Sequence, residues 1–281
     1  MIKFAEFVYT VLCRPKPIRW LVNRILILIS PESLSVRGAV IHLNHEDPIL
    51  CGALTLGVFE KEEMDRFCSE VRDGITFVDV GANVGLYTAL ALRRMPKSGT
   101  ILAVEPAREN FLFLGKNISS NRISGSQVKV IAEPLAVADR EGEGLLHKNP
   151  GNKGDNRLYR DAMLPDSEKV HVTTLDRLCA RHGISQVDII KMDVQGMEKR
   201  VLDGAKKILG SSRGCVLFLE FWAGGIERAG DSPEAIFEDL AGMGFQIFEP
   251  VKKQLQPIEI HEAIRRTQGR KYMNLVARKT G

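Results

Sequence analysis

The sequence predicts an α/β fold: a doubly wound sheet, mostly parallel with an antiparallel last strand, behind an N-terminal extension of helices and a small hairpin. Three observations carry this. After Gly74, short apolar runs alternate with amphipathic helical patterns, as in a parallel sheet covered on both faces. The first of these runs passes through small residues straight into a helix. The last two runs are joined by a stretch with no clear helical pattern, so the final strand is expected to return antiparallel. A composition of 44% hydrophobic and 26% charged residues excludes a disordered chain and a multi-span membrane protein. Gly and Pro recur without period, which excludes a collagen or a solenoid.

The chain opens with two apolar stretches, 1–13 and 18–29, separated by Arg14, Pro15, Lys16 and Pro17. Neither reaches the roughly 20 residues that span a bilayer, and no small-residue cleavage site follows an uninterrupted apolar run. Ile18, Leu21, Val22, Ile25, Leu26 and Ile29 share one helical face. Residues 1–30 also hold five basic residues against Glu6, which is the whole net charge of +4. Two readings stay open: a helix lying on an anionic membrane, or a helix packed on the body of the protein. The rest of the chain is neutral, so no nucleic-acid face is expected.

Residues 34–43 alternate as a strand or small hairpin. His42, His45, Glu46 and Asp47 follow and read as solvated turn residues before Pro48, so no residue is assigned to a metal. A helix is expected over 60–70. Strands are then expected at 75–80, 100–105, 128–131, 187–193, 215–221, 246–249 and 272–278. Helices are expected at 84–93, 108–121, 197–209 and 233–243. Residues 141–170 break the rhythm with Gly142, Gly144, Pro150, Gly151, Gly154 and Pro165, and a loop of this length is usually functional or mobile. The five cysteines are odd in number and lack C-x-x-C spacing, which fits buried thiols in a reducing, cytoplasmic setting.

The first strand and its loop, 75–88, carry the most chemical information. Gly81, Ala82, Asn83, Val84 and Gly85 let a backbone approach a ligand, and the helix that follows supplies free N–H donors. A nicotinamide dinucleotide fingerprint fails at two of its three glycine positions, where Asn83 and Leu86 stand. Asp79 at the strand end would repel a pyrophosphate. It suits a ligand that carries an ammonium and a sulfonium, which is S-adenosylmethionine.

DVGANVGLYT at 79–88, AVEP at 103–106, TLDRL at 174–178 and DIIKMDVQGMEKRVLDGA at 188–205 resemble, in order and spacing, the FkbM family of S-adenosylmethionine-dependent methyltransferases. The resemblance covers roughly residues 75–250. It implies a class I methyltransferase, Rossmann-like fold over 71–281, with 1–70 as the N-terminal extension. It also implies that Asp79, Gly81, Asn83 and Gly85 line the methionine end of the cofactor, with Thr88 facing either the ligand or the next strand. Glu105 is expected to accept both ribose hydroxyls, Pro106 to shape the turn beside it, and Ala136 to hold the adenine edge. Members of the family mostly methylate hydroxyl groups of sugars, polyketides and lipid-linked glycans. The acceptor is therefore expected to be a small molecule or a glycan, with peripheral membrane contact through residues 1–30 on one of the two readings.

An alcohol acceptor must lose a proton during attack, to a carboxylate, to a histidine, or with the help of a divalent metal. Asp193 and Glu220, at the ends of two core strands, are the expected carboxylates, and His171 is the histidine candidate. Asp193 is also expected to touch the cofactor, and Lys191 to pair with it. Glu198 falls in a first helical turn, where the helix dipole is reason enough for a carboxylate. Asn152, Asp155, Asn156 and Arg157 fill the long loop and fit a lid for sugar hydroxyls. The competing readings are a nicotinamide-dependent oxidoreductase and a cofactor-fold binding module without turnover.

Overall fold

A computed structural model describes residues 28, 30–164, 166–252, 254–269 and 271–279. The expectation of a helix at 18–29 falls outside them but for residue 28. Among the described residues no helix is long and apolar enough to cross a membrane.

The N-terminal part forms hairpin β1 (Ser33–Val36) and β2 (Ala39–His42), then helices α1 (Pro48–Thr55) and α2 (Lys61–Glu70). Arg37 and Gly38 both have positive φ, the turn that matches the twist of a two-residue hairpin. Core strands β3 (Thr76–Val80), β4 (Ser98–Val104) and β5 (Gln127–Glu133) alternate with α3 (Leu86–Arg94) and α4 (Arg108–Asn121). A small sheet follows, of β6 (Ala136–Val137), β7 (Gly142–His147) and β8 (Ser167–Thr173). Next come α5 (Leu175–Arg181), β9 (Ile189–Met192), α6 (Glu198–Asp203), α7 (Lys206–Ser211) and β10 (Val216–Phe221). The chain continues through α8 (Ala223–Arg228), α9 (Pro233–Gly242), β11 (Phe245–Val251), β12 (Gln254–Pro257), α10 (Ile260–Arg266) and β13 (Met273–Lys279).

The main sheet runs β12-β11-β13-β10-β9-β3-β4-β5. From β10 to β5 every pair is parallel, and β13 enters antiparallel between β10 and β11, as the sequence predicted. The two faces follow from strand alternation. Phe77, Ile189 and Phe218 face a layer that includes the N-terminal hairpin and α2 to α4. Val78, Val80, Ile190 and Leu217 face α5 to α10. Phe67 of α2, fully buried, meets Phe77 at 4.9 Å and Phe218 at 5.7 Å between ring centroids. Burying such a ring contributes about 2–3 kcal/mol and fixes α2 over the sheet. Asn117 and Asn121 of α4 accept the N–H groups of His42 and Val40 at 2.7 and 2.8 Å, which satisfies part of the edge of β2.

Several local expectations change. The helix expected at 197–209 is two helices, because the chain bends at Gly204; a Cβ there would lie 2.1 Å from the carbonyl oxygen of Ala138. The loop-rich 141–170 is bounded by the β7–β8 pairing, so the irregular part is shorter. The stretch 250–271 holds β12 and α10; α10 buries only Ala263 of its seven residues, which leaves almost no periodic signal. Pro48 opens α1, and Asp47 caps it by accepting the N–H groups of Ile49 and Leu50.

Candidate active site

The parallel topology brings the carboxyl ends of β3, β4, β9 and β10 to one edge of the sheet, where an open α/β fold binds ligands. At the end of β3 the chain turns through Gly81, whose φ is +79° and where a Cβ would sit 1.9 Å from the carbonyl oxygen of Asp193. Only glycine lets these two strand ends approach so closely.

A cleft beyond this turn is lined by Gly81, Asn83, Glu105, Pro106, Ala136 and Asp193, all expected site residues, with Asn110, Leu135, Val137, Leu146 and Leu158. Glu105 directly follows β4 and is buried. Its Oε2 accepts the N–H of Asn83 at 2.9 Å, and its Oε1 accepts the N–H of Ala107 at 2.8 Å. The Asn110 amide also lies against this carboxylate. Burial pushes this carboxyl up to about 7, against the pull of the two N–H donors. Asn83 adopts the left-handed region at φ +52° and leaves its Oδ1 buried without a partner, as is Oδ1 of Asn110.

A second, smaller cavity continues from the first between Asp79, Gly81, Asn83, Tyr87, Lys191 and Asp193, and reaches Glu60. Asp79 and Lys191 are cross-strand neighbours on the face that α2 covers. Asp79 is fully buried, and desolvation lifts it to about 6 despite the hydroxyl of Thr88, which donates to its Oδ2 at 2.7 Å. Thr88 therefore holds Asp79 and does not face a ligand. Gly85 lines none of the three cavities: a Cβ there would meet Leu114 Cδ1 at 2.6 Å, so this glycine lets α3 pack on α4. Its expected place at the methionine end is corrected accordingly.

The third and widest of these clefts, of about 480 Å³, opens beside the other two. Its wall holds Asp193, Gln195, Glu220, Trp222 and Tyr272, and the loop side brings Asn149, Asn152, Asp155 and Arg157. The single amide of Gln195 donates to Oδ1 of Asp193 at 2.7 Å and to Oε1 of Glu220 at 2.8 Å, so the two expected carboxylates sit side by side. Burial first, and Asp193 second, raise the Glu220 carboxyl well above its ordinary value. Arg157 is spent on Asp155, at 2.7 Å, and stacks 5.0 Å over Trp222. Asn156 lines the first cleft, not this one.

His171 is not brought here. It is exposed on β8 and lines a separate groove with Glu133, Glu141 and Arg181. Odd and even positions of a strand face opposite ways, and β8 turns this one away from the cleft. Lys191 lies 3.9 Å from Asp193 but only 3.3 Å from Glu63 of α2, its nearer partner. Glu198 is buried, accepts the N–H of Gly196 at 3.1 Å, and is lifted by burial to about 7.

The residues that sequence reasoning missed are Glu60, Glu63, Tyr87 and Gln195. Glu60 and Glu63 look like ordinary acidic residues at the start of a helix. The signal that separates Glu63 is burial: it is 6% exposed, on a helix that also buries Met64, Phe67 and Cys68.

A family model described as Methyltransferase FkbM domain matches residues 79–247, more than half of the chain. The chain is 30% identical over 161 residues to 31-O-demethyl-FK506 methyltransferase FkbM of Streptomyces tacrolimicus, across 49% of this chain and 62% of that protein. It is 27% identical over 151 residues to Methyltransferase 1 of Beauveria bassiana, across 47% of this chain and 59% of that one. The chain thus spans about six tenths of the length of these relatives. A solved methyltransferase FkbM from Methylobacillus flagellatus aligns with a TM-score of 0.42 and 13% identity, over 93% of this chain and 59% of the other. With the match running from Asp79 in β3 to β11, and so through the whole strand-end edge just described, the chain belongs to the FkbM family of S-adenosylmethionine-dependent methyltransferases.

Proposed function

We propose that the protein is an O-methyltransferase that binds S-adenosylmethionine along the first two cavities and a neutral hydroxylic acceptor, such as a sugar, glycolipid or polyketide-like molecule, in the third. The observation that carries the proposal is the junction: Asn83 and Asp193 line all three cavities, so one point is open to both a donor and an acceptor.

The residues present fit the cofactor. The apolar slot of Leu135, Ala136, Val137 and Leu158 suits an adenine ring, and the free Oδ1 atoms of Asn83 and Asn110 offer acceptors for adenosine donors. Glu105 is the acceptor assigned to the ribose hydroxyls. Asp79 supplies a carboxylate for the amino group. When bound, the cofactor supplies an electrophilic methyl group.

The chain's own part is to align the acceptor and remove its proton. Alignment of two reactants is worth several kcal/mol. Asp193 Oδ2 is free of the Gln195 bond, which goes to Oδ1, faces Lys191 Nζ at 3.9 Å, and is the atom we assign to accept a hydroxyl proton at the junction. Gln195 bridges Asp193 and Glu220 through its amide. Tyr272 offers an exposed flat face, and Asn149, Asn152 and Asp155 offer hydrogen-bond groups, a mixture that suits a polyhydroxylated ring. Calorimetric titration with S-adenosylhomocysteine and with NADH tests the cofactor half of this reading. Binding of NADH in place of S-adenosylhomocysteine would turn it to the oxidoreductase alternative.

A further inference from the structure

One carboxylate at the junction lies outside the family-matched residues. Glu60 immediately precedes α2 and borders both the methionine-end cavity and the acceptor cleft. It holds the left-handed region at φ +33° although it has a side chain, a conformation that costs energy and persists where surroundings enforce it. It is the N-cap residue of α2, yet its side chain makes no capping bond. The carboxylate is turned instead to the site, where its Oε2 accepts the hydroxyl of Tyr87 at 2.7 Å.

The charges around Glu60 are unbalanced. Glu63 faces it from α2, Tyr87 from α3, Asp79 from β3, Lys191 and Asp193 from the end of β9, Glu220 from β10, and Tyr272 from the strand beyond. Lys191 is the cation in this group, and its nearest carboxylate is that of Glu63. Among the described residues five carboxyl groups here thus face this one ammonium, while Arg157, across the acceptor cleft, is held by Asp155.

Resting on the cofactor reading above, we propose that Glu60 reads the charge of the cofactor: its carboxylate meets the sulfonium of S-adenosylmethionine and finds no counterpart in the neutral thioether of S-adenosylhomocysteine. This gives the site a means of holding the charged donor and releasing the neutral product. Glu220 borders the acceptor cleft and is engaged by Gln195, whereas Glu60 also reaches the methionine end. Burial, and then Glu63, lift Glu60 to about 8, so near neutral pH it holds a proton in the ligand-free protein. A sulfonium beside it favours the ionised form, and the proton passes to solvent. A thioether leaves that proton in place.

The test is calorimetric titration of the full chain near neutral pH, in two buffers of different ionisation enthalpy, with S-adenosylmethionine and with S-adenosylhomocysteine. Protons released by Asp79 or Glu105 on contact with the shared amino acid and ribose groups cancel between the two ligands. The expected result is a larger proton release with S-adenosylmethionine. In Glu60→Gln that excess vanishes, and the affinity ratio of the two ligands falls by about tenfold, the effect of losing one partly screened charge contact. Glu220→Gln leaves Glu60 in place and should keep an excess, reduced because one like charge beside Glu60 is gone. Equal proton release by the wild-type chain overturns the inference, and decides the matter even if Glu60→Gln does not fold. An unchanged ratio in Glu60→Gln overturns it as well, as does an excess lost only in Glu220→Gln. If the wild-type chain binds neither ligand, the cofactor reading fails first and takes this inference with it.

Discussion

Lys191 Nζ lies 3.3 Å from Glu63 Oε1, a buried ion pair that ties the fourth core strand to a helix of the N-terminal segment. Removing one partner leaves the other charge uncompensated in the interior. Lys191→Met should therefore cost about 3 kcal/mol or more of stability. Combining it with Glu63→Gln should restore much of the loss. Urea unfolding of the two variants measures both, and a double variant as weak as the single one would show that the pair is not the cause.

Glu105→Ala should weaken the rise in melting temperature that S-adenosylhomocysteine produces. A ligand selective for the folded state stabilises it by mass action, and loss of hydrogen bonds to a charged acceptor costs about 1.5–3 kcal/mol. Glu105→Gln keeps one carbonyl acceptor for the Asn83 or Ala107 N–H and should fall between. A full thermal shift in the alanine variant would remove Glu105 from the ribose.

Asp193→Asn should leave the fold intact and depress turnover by roughly 10²-fold or more, because the amide cannot accept a proton. Its bond to Gln195 can be kept through the amide oxygen, so binding of S-adenosylhomocysteine should change little. Turnover at the wild-type level, with any acceptor, would move the proton acceptor to Glu220 or Glu60.

Stability should fall as pH rises from about 5 to about 8. Glu105 and Glu198 are lifted to about 7 and Asp79 to about 6, all by burial, from ordinary values of 4.5 and 3.8. Between the ordinary and the raised values the folded chain holds protons that the unfolded chain has released. That contribution is complete below the ordinary value and is lost as pH passes the raised one. Glu198→Gln keeps an acceptor for the N–H of Gly196 and should flatten the profile. Melting temperatures at a series of pH values check the slope, and a rise towards pH 8 would contradict it.

The order of the core elements was legible because each apolar run closes at a charged or small residue, and in a parallel sheet those closings collect at one edge. Asp79, Gly81, Glu105, Asp193 and Glu220 could be placed at that edge from the ends of their runs alone, and the motifs at 79–88 and 188–205 pointed to a methyltransferase. Which face each side chain takes, and what covers it, was decided by packing between distant segments. Asp79, Lys191 and Glu220 share the face that Phe67 pins under α2, and that packing brings Glu60 and Glu63 to them. Gly85 and Thr88 stood in the right motif, yet Leu114 and Asp79 claimed them. His171 stood near the right motif and on the wrong side of its strand. Local sequence records the period of a strand and the residue at its end. The depth at which a carboxylate is buried, and the proton it holds there, depend on segments far away in the chain.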